Sequence, residues 1–274
     1  MMIESKVLAN IRRQLRSGRR LVLFLDYDGT LVPIARTPDE AQPDGTLLTL
    51  LNDLTHVSVI HTIILSGRPL SSLQAMLPIP GLILAGTYGM EVQWDGKVMT
   101  RGVSLAQIRP VIAQVKTEWE GLTDKRSGFL LEDKGLAIAL HARWADPTEA
   151  DTILNAARVT ATQTISSDYF RILGGDRFLE VAPAAAHKGH TVEWLLDQIR
   201  IADALLVYFG DDDKDEEAFA VIRQRGGIAI GVGQRYELAQ ADGRVSSPKV
   251  VRDWLHRFRA DAGQIISNVE YTKE

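Results

Sequence analysis

Leu21-Val22-Leu23-Phe24-Leu25-Asp26-Tyr27-Asp28-Gly29-Thr30-Leu31 is the stretch whose reading decides the fold of this chain. Five apolar residues run straight into two aspartates spaced two apart, followed by Gly-Thr. An unbroken apolar run closed by a turn residue reads as a strand of a parallel sheet, buried on both faces. Open α/β sheets hold their ligands at the carboxyl ends of the strands. The sequence therefore delivers two carboxylates, side by side, to the rim of a sheet. Two crowded anions call for a counter-cation, most simply a hard divalent ion such as Mg²⁺.

Outward from that strand (20–26) the pattern alternates. Residues 44–54 follow Pro43 and carry Leu47, Leu48, Leu51 and Leu54 at helical spacing. Residues 57–65 are apolar and β-branched, a second buried strand that ends in Ser66-Gly67-Arg68. A short helix over 70–76 is halted by Pro78 and Pro80, and a third strand over 82–85 runs into Gly86-Thr87-Tyr88-Gly89. The βαβαβ order implies a parallel sheet with right-handed crossovers.

The rhythm then changes to a hairpin over 90–98 around Asp95-Gly96, a helix over 105–118, strands over 128–131 and 136–143, a helix over 148–160, and a second hairpin from 169–173 and 178–181. That order is typical of an α+β unit. It places an inserted domain at 103–176, between core segments 1–102 and 177–274. The first pattern resumes with helix 190–200, strand 205–209, helix 215–225, strand 228–232 and a closing helix 250–259. At the other end, residues 4–15 read as an amphipathic helix stopped at Gly18.

Composition narrows the function. Of 274 residues, 45% are hydrophobic and 24% charged, as in globular proteins generally. A net charge of −4 offers no general attraction to nucleic acid or anionic membranes. With no cysteine, thiolate metal sites, disulfides and thiol nucleophiles are excluded. No segment approaches the roughly 20 apolar residues of a membrane span, and residues 1–20 lack a signal-peptide core. The expectation is a cytoplasmic protein acting on a small molecule, with oligomeric state left open.

Four elements at strand ends or helix starts carry chemistry: Asp26 and Asp28; Ser66 in Ser66-Gly67-Arg68; Lys188 in His187-Lys188-Gly189; and the acidic run Gly210-Asp211-Asp212-Asp213-Lys214-Asp215-Glu216. Together they supply a nucleophile, an acid, a hydroxyl, an ammonium and a metal-binding loop, the set that phosphoryl transfer needs. Asp26 is the expected nucleophile and Asp28 the acid and base. Ser66 and Lys188 would bind phosphate oxygens. Mg²⁺ would be held by Asp26, the Asp28 carbonyl, Asp211 and Asp212. Taken singly, each element has a plainer reading. Asp-x-Asp-Gly can be a turn or a calcium loop, and Ser-Gly-Arg a strand-ending turn. A lone lysine is usually solvated. Acidic residues at a helix start favour its dipole, which suits Glu216 and Glu217 better than Asp211 and Asp212.

The four motifs resemble the haloacid-dehalogenase superfamily of aspartate-based phosphotransferases, and within it the trehalose-6-phosphate phosphatases. The narrower likeness is carried by residues 86–91 (Gly-Thr-Tyr-Gly-Met-Glu), by Glu132-Asp133-Lys134 with His141-Ala142-Arg143, by Leu179-Glu180-Val181-Ala182-Pro183, and by residues 208–219. The resemblance implies an α/β protein with a Rossmann-like core and an inserted, mobile α+β cap; the insertion pattern puts its hinges near Val103 and Gly174–Pro183. It implies Mg²⁺-dependent removal of phosphate from trehalose 6-phosphate through an aspartyl-phosphate. It implies substrate binding by Gly67, Arg68, Glu132, Lys134, His141, Arg143 and Glu180. Departures from the family pattern stand at Tyr88 (usually His), Ala142 (usually Tyr), Lys214 (usually Thr) and Ala182 (usually basic). They leave open a phosphatase of sucrose phosphate, mannosyl-3-phosphoglycerate or glucosylglycerol phosphate, or a sugar-phosphate sensor without turnover.

Overall fold

The computed structural model describes residues 7, 9–11, 13–14, 19–102 and 104–271, the side chains of 261–271 excepted. The helix expected over 4–15 with its Gly18 stop lies mostly outside the described residues, as does the hinge residue Val103. The chain divides into two compact units, residues 1–99 with 187–274, and residues 100–186.

The larger unit is built on an eight-stranded sheet. Its first strands are β1 (Leu21–Leu25), β2 (Ile60–Leu65), β3 (Ile83–Gly86), β4 (Glu91–Trp94) and β5 (Lys97–Thr100). The smaller unit contributes β6 (Leu130–Asp133), β7 (Ile138–His141), β8 (Phe170–Gly175) and β9 (Phe178–Pro183) to a sheet of its own. The chain then returns to the larger sheet with β10 (Leu205–Gly210), β11 (Ile228–Val232) and β12 (Gly243–Val245). The large sheet has the order β12-β11-β10-β1-β2-β3-β4-β5. All pairings from β12 to β3 are parallel, and β3 to β4 is antiparallel.

β1 lies in the middle, with Leu25 level with Phe209 on one side and Ile64 on the other. Its five residues are all buried. Side chains alternate across a strand, so Leu21, Leu23 and Leu25 enter one core with Leu47, Leu50, Leu51 and Leu54 of α1 (Gly45–Thr55) and with Val251, Trp254 and Leu255 of the C-terminal helix. Val22 and Phe24 enter the other, with Val192 and Leu195 of one helix and Ala218, Phe219 and Ile222 of another. Helices on both faces explain why the run is apolar at every position rather than at alternate ones.

The helices after α1 are α2 (Leu70–Met76), α3 (Leu105–Thr123), α4 (Pro147–Thr164), α5 (Lys188–Ile199), α6 (Asp215–Gln224) and α7 (Pro248–Tyr271). α1 starts where Asp44 accepts the Leu47 N–H, a side-chain cap. α2 spans the residues expected of it. α3 and α4 run several residues further than the sequence suggests, and α7 runs well past Arg259. β12 was not expected, because three residues are too few for a periodicity. None of the described helices is long and apolar enough to cross a membrane.

The smaller unit is an antiparallel sheet in the order β6-β7-β9-β8 with α3 and α4. Trp119 of α3 is fully buried and donates its indole N–H to the Ala157 carbonyl of α4. β9 pairs with both β7 and β8. Residues 178–183 therefore sit in this sheet, where the sequence reading assigned everything after 176 to the core. The segment 174–183, near which a hinge is expected, is paired as a hairpin. The chain passes between units at 99–100 and 186–187.

Candidate active site

Because β10, β1 and β2 are parallel neighbours, their carboxyl ends deliver Asp211, Asp26 and Ser66 to one edge of the sheet. The Asp26 N–H bonds the Phe209 carbonyl at 3.0 Å, and the Ser66 N–H bonds the Ala85 carbonyl at 3.0 Å, so both residues continue the ladder before the chain turns away.

Asp26 is buried, and its Oδ1 accepts a 2.8 Å hydrogen bond from Lys188 Nζ. Lys188 opens α5 and is also buried; its backbone N–H is held by the Glu217 carboxylate at 3.1 Å. The same ammonium donates to Asp215 Oδ1 at 2.6 Å. Burial works against a charged lysine, but Asp215 and Asp26 outweigh it and keep the ammonium well above its ordinary value. For Asp26, burial is the larger effect. It pushes the carboxyl up to about 6, against the pull of Lys188.

Asp215 is fully subscribed. Oδ1 accepts from Lys188 and from the Tyr208 hydroxyl at 2.8 Å, and Oδ2 accepts from the N–H groups of Asp211 and Asp212 at 3.0 and 3.1 Å. Sequence reading placed Asp215 in the acidic run and Tyr208 in the family stretch 208–219 without giving either a role of its own. The signal available was slight: an acid four residues after Asp211, behind a strand ending in Tyr208-Phe209.

Asp211 differs in kind. Its carboxylate lies against the α-carbon of Gly29, where a methyl group would come within 2.1 Å of Oδ2, and no donor among the described residues reaches it. Burial, with Asp26, Asp212 and Asp215 nearby, pushes it up to about 10. One oxygen each from Asp26, Asp211 and Asp215 falls within 4.8 Å of the others. An all-oxygen donor set suits Mg²⁺. Since Asp215 already accepts four hydrogen bonds, the coordinating capacity rests with Asp26 and Asp211, and the carboxylate of Asp211, crowded by like charges that Lys188 only partly offsets, is the feature that a bound cation would relieve. Asp212, expected as a ligand, stands outside that carboxylate group, while Asp28 is expected to contribute only its main-chain carbonyl. Asp212 Oδ1 accepts the N–H groups of Lys214 and Asp215 at 3.0 and 3.3 Å, which shapes the start of α6.

Ser66 is buried; its hydroxyl accepts the Arg68 N–H at 3.2 Å and its carbonyl the Tyr88 N–H at 2.8 Å. Gly67 is required because the Tyr88 ring lies against it, 2.8 Å from where a Cβ would stand. Thr87 and Tyr88 both hold left-handed backbone, at φ 47° and 57°, a conformation costly for such side chains. Arg68, expected to bind substrate, is buried with its fork on the carboxylate of Asp28.

In the smaller unit, Glu132, Ala139 and Glu180 lie level across β6, β7 and β9. His141 Nε2 is 2.9 Å from Glu132 Oε2. Lys134 Nζ donates to Glu180 Oε2 at 2.8 Å, with both side chains buried, and lies over the Phe178 ring. Arg143 follows β7 by two residues and is partly buried. The polar residues expected to recognise sugar thus form two hydrogen-bonded couples on one sheet, with Arg143 two residues past the end of β7. An ordinary exposed strand charge would not be buried as Lys134 and Glu180 are.

Comparison with known proteins agrees with this arrangement. The family model described as trehalose-phosphatase matches residues 24–244. The chain is 31% identical over 259 residues to an Arabidopsis thaliana protein named probable trehalose-phosphate phosphatase D, covering 88% of this chain and 68% of that one. The fold superposes on the C-terminal domain of Candida albicans trehalose-6-phosphate phosphatase with a TM-score of 0.79 at 23% identity, covering 91% of this chain and 97% of the other. It also superposes on a haloacid dehalogenase-like hydrolase from Bacteroides thetaiotaomicron with a TM-score of 0.59 at 14% identity, covering 88% and 99%. With the haloacid-dehalogenase fold, the clustered carboxylates and a family match over most of its length, the chain belongs to the trehalose-phosphatase family of phosphoric monoester hydrolases.

Proposed function

We propose that this protein hydrolyses trehalose 6-phosphate to trehalose and inorganic phosphate, with Mg²⁺, through an aspartyl-phosphate on Asp26. The observation that carries the reading is the environment of Asp26. A buried carboxylate at the end of the central strand has one oxygen fixed by Lys188 at 2.8 Å and the donor-free carboxylate of Asp211 beside it. Family membership supports the substrate class.

In the first half-reaction, an Asp26 carboxylate oxygen attacks phosphorus and the bond from phosphorus to the sugar oxygen breaks. Asp28 delivers a proton to that leaving oxygen. In the second, Asp28 takes a proton from water as the water oxygen attacks phosphorus. The bond from phosphorus to Asp26 breaks, and phosphate leaves. Lys188 holds Asp26 in place and offsets charge on the transferring group, while Asp215 and Glu217 hold Lys188. Asp26 and Asp211 would hold Mg²⁺, which supplies Lewis-acid stabilisation of phosphate charge when bound. Glu132, Lys134, His141, Arg143 and Glu180 are assigned to sugar recognition. Their polar grouping supports this, because a site that hydrogen-bonds hydroxyls rejects analogues lacking them.

Phosphate release measured across a panel of sugar phosphates tests the substrate, with trehalose 6-phosphate expected to lead. A higher kcat/KM on sucrose phosphate would overturn that choice. Asp26→Asn tests the mechanism, with turnover lost and the cooperative melt retained. Activity surviving in that variant would rule out the aspartyl-phosphate.

A further inference from the structure

Lys214 lies inside the acidic loop between β10 and α6, 6% exposed. Its ammonium pairs with Asp213 and stands 3.6 Å from Asp212 Oδ2, while its backbone N–H bonds Asp212 Oδ1. Both oxygens of Asp212 are thus engaged within the loop, one by backbone N–H groups and one by a tethered cation. Burying an ammonium is costly unless it is paired, and no step of the hydrolysis uses this one. Burial alone would discharge it, but Asp212 and Asp213 hold it above the ordinary lysine value.

Asp212 is the link to the chemistry. It directly follows Asp211 in the loop, and the N–H groups of both residues bond the same Asp215 oxygen, so the two carboxylates are held in one turn. A divalent ion held by Asp26 and Asp211 would be attracted by Asp212 and repelled by whatever cation offsets Asp212. Lys188 is tied to Asp26 and Asp215 and stabilises the nucleophile directly. Lys214 instead pairs within the loop, with Asp212 and Asp213, which serve neither as nucleophile nor as proposed ligands.

We propose that Lys214 is a positioning and charge-balancing residue that weakens the hold of Asp26 and Asp211 on a divalent ion, by acting through Asp212 as an internal counter-ion. This rests on the reading of Asp26 and Asp211 as the metal ligands. The loop keeps its shape without an external cation, and its affinity for one is set lower than the carboxylates alone would give.

The test is calorimetric titration of the full chain with Mg²⁺, before any substrate is added, on wild type, Lys214→Thr and Lys214→Arg. Wild type is expected to bind, Lys214→Thr to bind about three- to tenfold tighter because one nearby positive charge is gone, and Lys214→Arg to stay within about twofold of wild type. Tighter binding cannot arise from a damaged fold, and Lys214→Gln serves if the threonine variant does not fold. Unchanged or weaker binding in the neutral variants overturns the inference and leaves the ligand assignment standing. Equal tightening in Lys214→Arg also overturns it, since shape rather than charge would be responsible. No Mg²⁺ binding by wild type removes the ligand assignment itself and the inference with it.

Discussion

The guanidinium of Arg68 grips the carboxylate of Asp28 through two parallel hydrogen bonds, 2.7 Å from Nε and 2.8 Å from Nη2. Fork-to-carboxylate pairs of this kind are strong and directional. The same side chain donates to the Pro38 carbonyl at 2.7 Å and lies over the Tyr27 ring. Arg68 therefore ties the segment after β1 to the loop after β2 and fixes the direction of Asp28.

If Arg68 orients the acid rather than the substrate, its loss should depend on the leaving group. Arg68→Ala is expected to lower kcat for trehalose 6-phosphate about 10- to 100-fold. It should lower kcat for p-nitrophenyl phosphate far less, because that leaving group needs little protonation. Steady-state kinetics on both substrates decide it. A rise in KM alone, equal for both, would return Arg68 to substrate binding.

Asp26 is pushed up to about 6 by burial, and Asp211 to about 10 by burial and the neighbouring carboxylates. Both lie above the unfolded aspartate value of about 4. The native state then binds more protons than the unfolded state above that value. Stability of the metal-free protein should fall as pH rises, through about 6 for Asp26 and on towards 10 for Asp211. A divalent ion between them offsets that cost, so the gain in Tm on adding Mg²⁺ should be larger at pH 8 than at pH 5. Thermal melts with Mg²⁺ and with chelator at both pH values measure it; equal gains would contradict the shared site.

Gly29 holds φ +81° with Asp211 directly over its α-carbon. Gly29→Ala forces a Cβ into the Asp211 carboxylate and a methyl group into left-handed backbone. The expected result is loss of the Mg²⁺-dependent gain in Tm and a fall in kcat of at least about 100-fold, with a cooperative melt retained. An alanine variant that still gains Tm with Mg²⁺ would show that Asp211 does not need this close approach.

Lys188 compensates two buried carboxylates at once. Lys188→Met leaves both facing each other and should cost about 3–5 kcal/mol in urea unfolding, the scale of breaking a buried ion pair. A loss below about 1 kcal/mol would mean that the pair relaxes or takes up protons with little strain.

Much of the fold was legible because its signals are local. The apolar runs of β1, β2 and β10 and the leucine spacing of α1 follow from burial on a pleated or helical period. Asp26, Ser66 and Asp211 stand where strands end, and a parallel sheet collects strand ends on one edge. β12, the extension of α7 and the placement of β9 were not legible, since each depends on pairing or length that no short window records.

The amino-acid sequence by itself determined which residues leave the strands bearing carboxylates, which loop is acidic and that a second unit interrupts the first. Tertiary structure alone decided how those groups are used. It turned Arg68 onto Asp28 across 40 residues and joined Lys188 to Asp26 across 162. It filled Asp215 with four donors and left Asp211 with none from the described residues. The reason is physical: a motif specifies the chemistry of a side chain, whereas the charge it carries and the partner it meets depend on burial and on neighbours brought together only by folding.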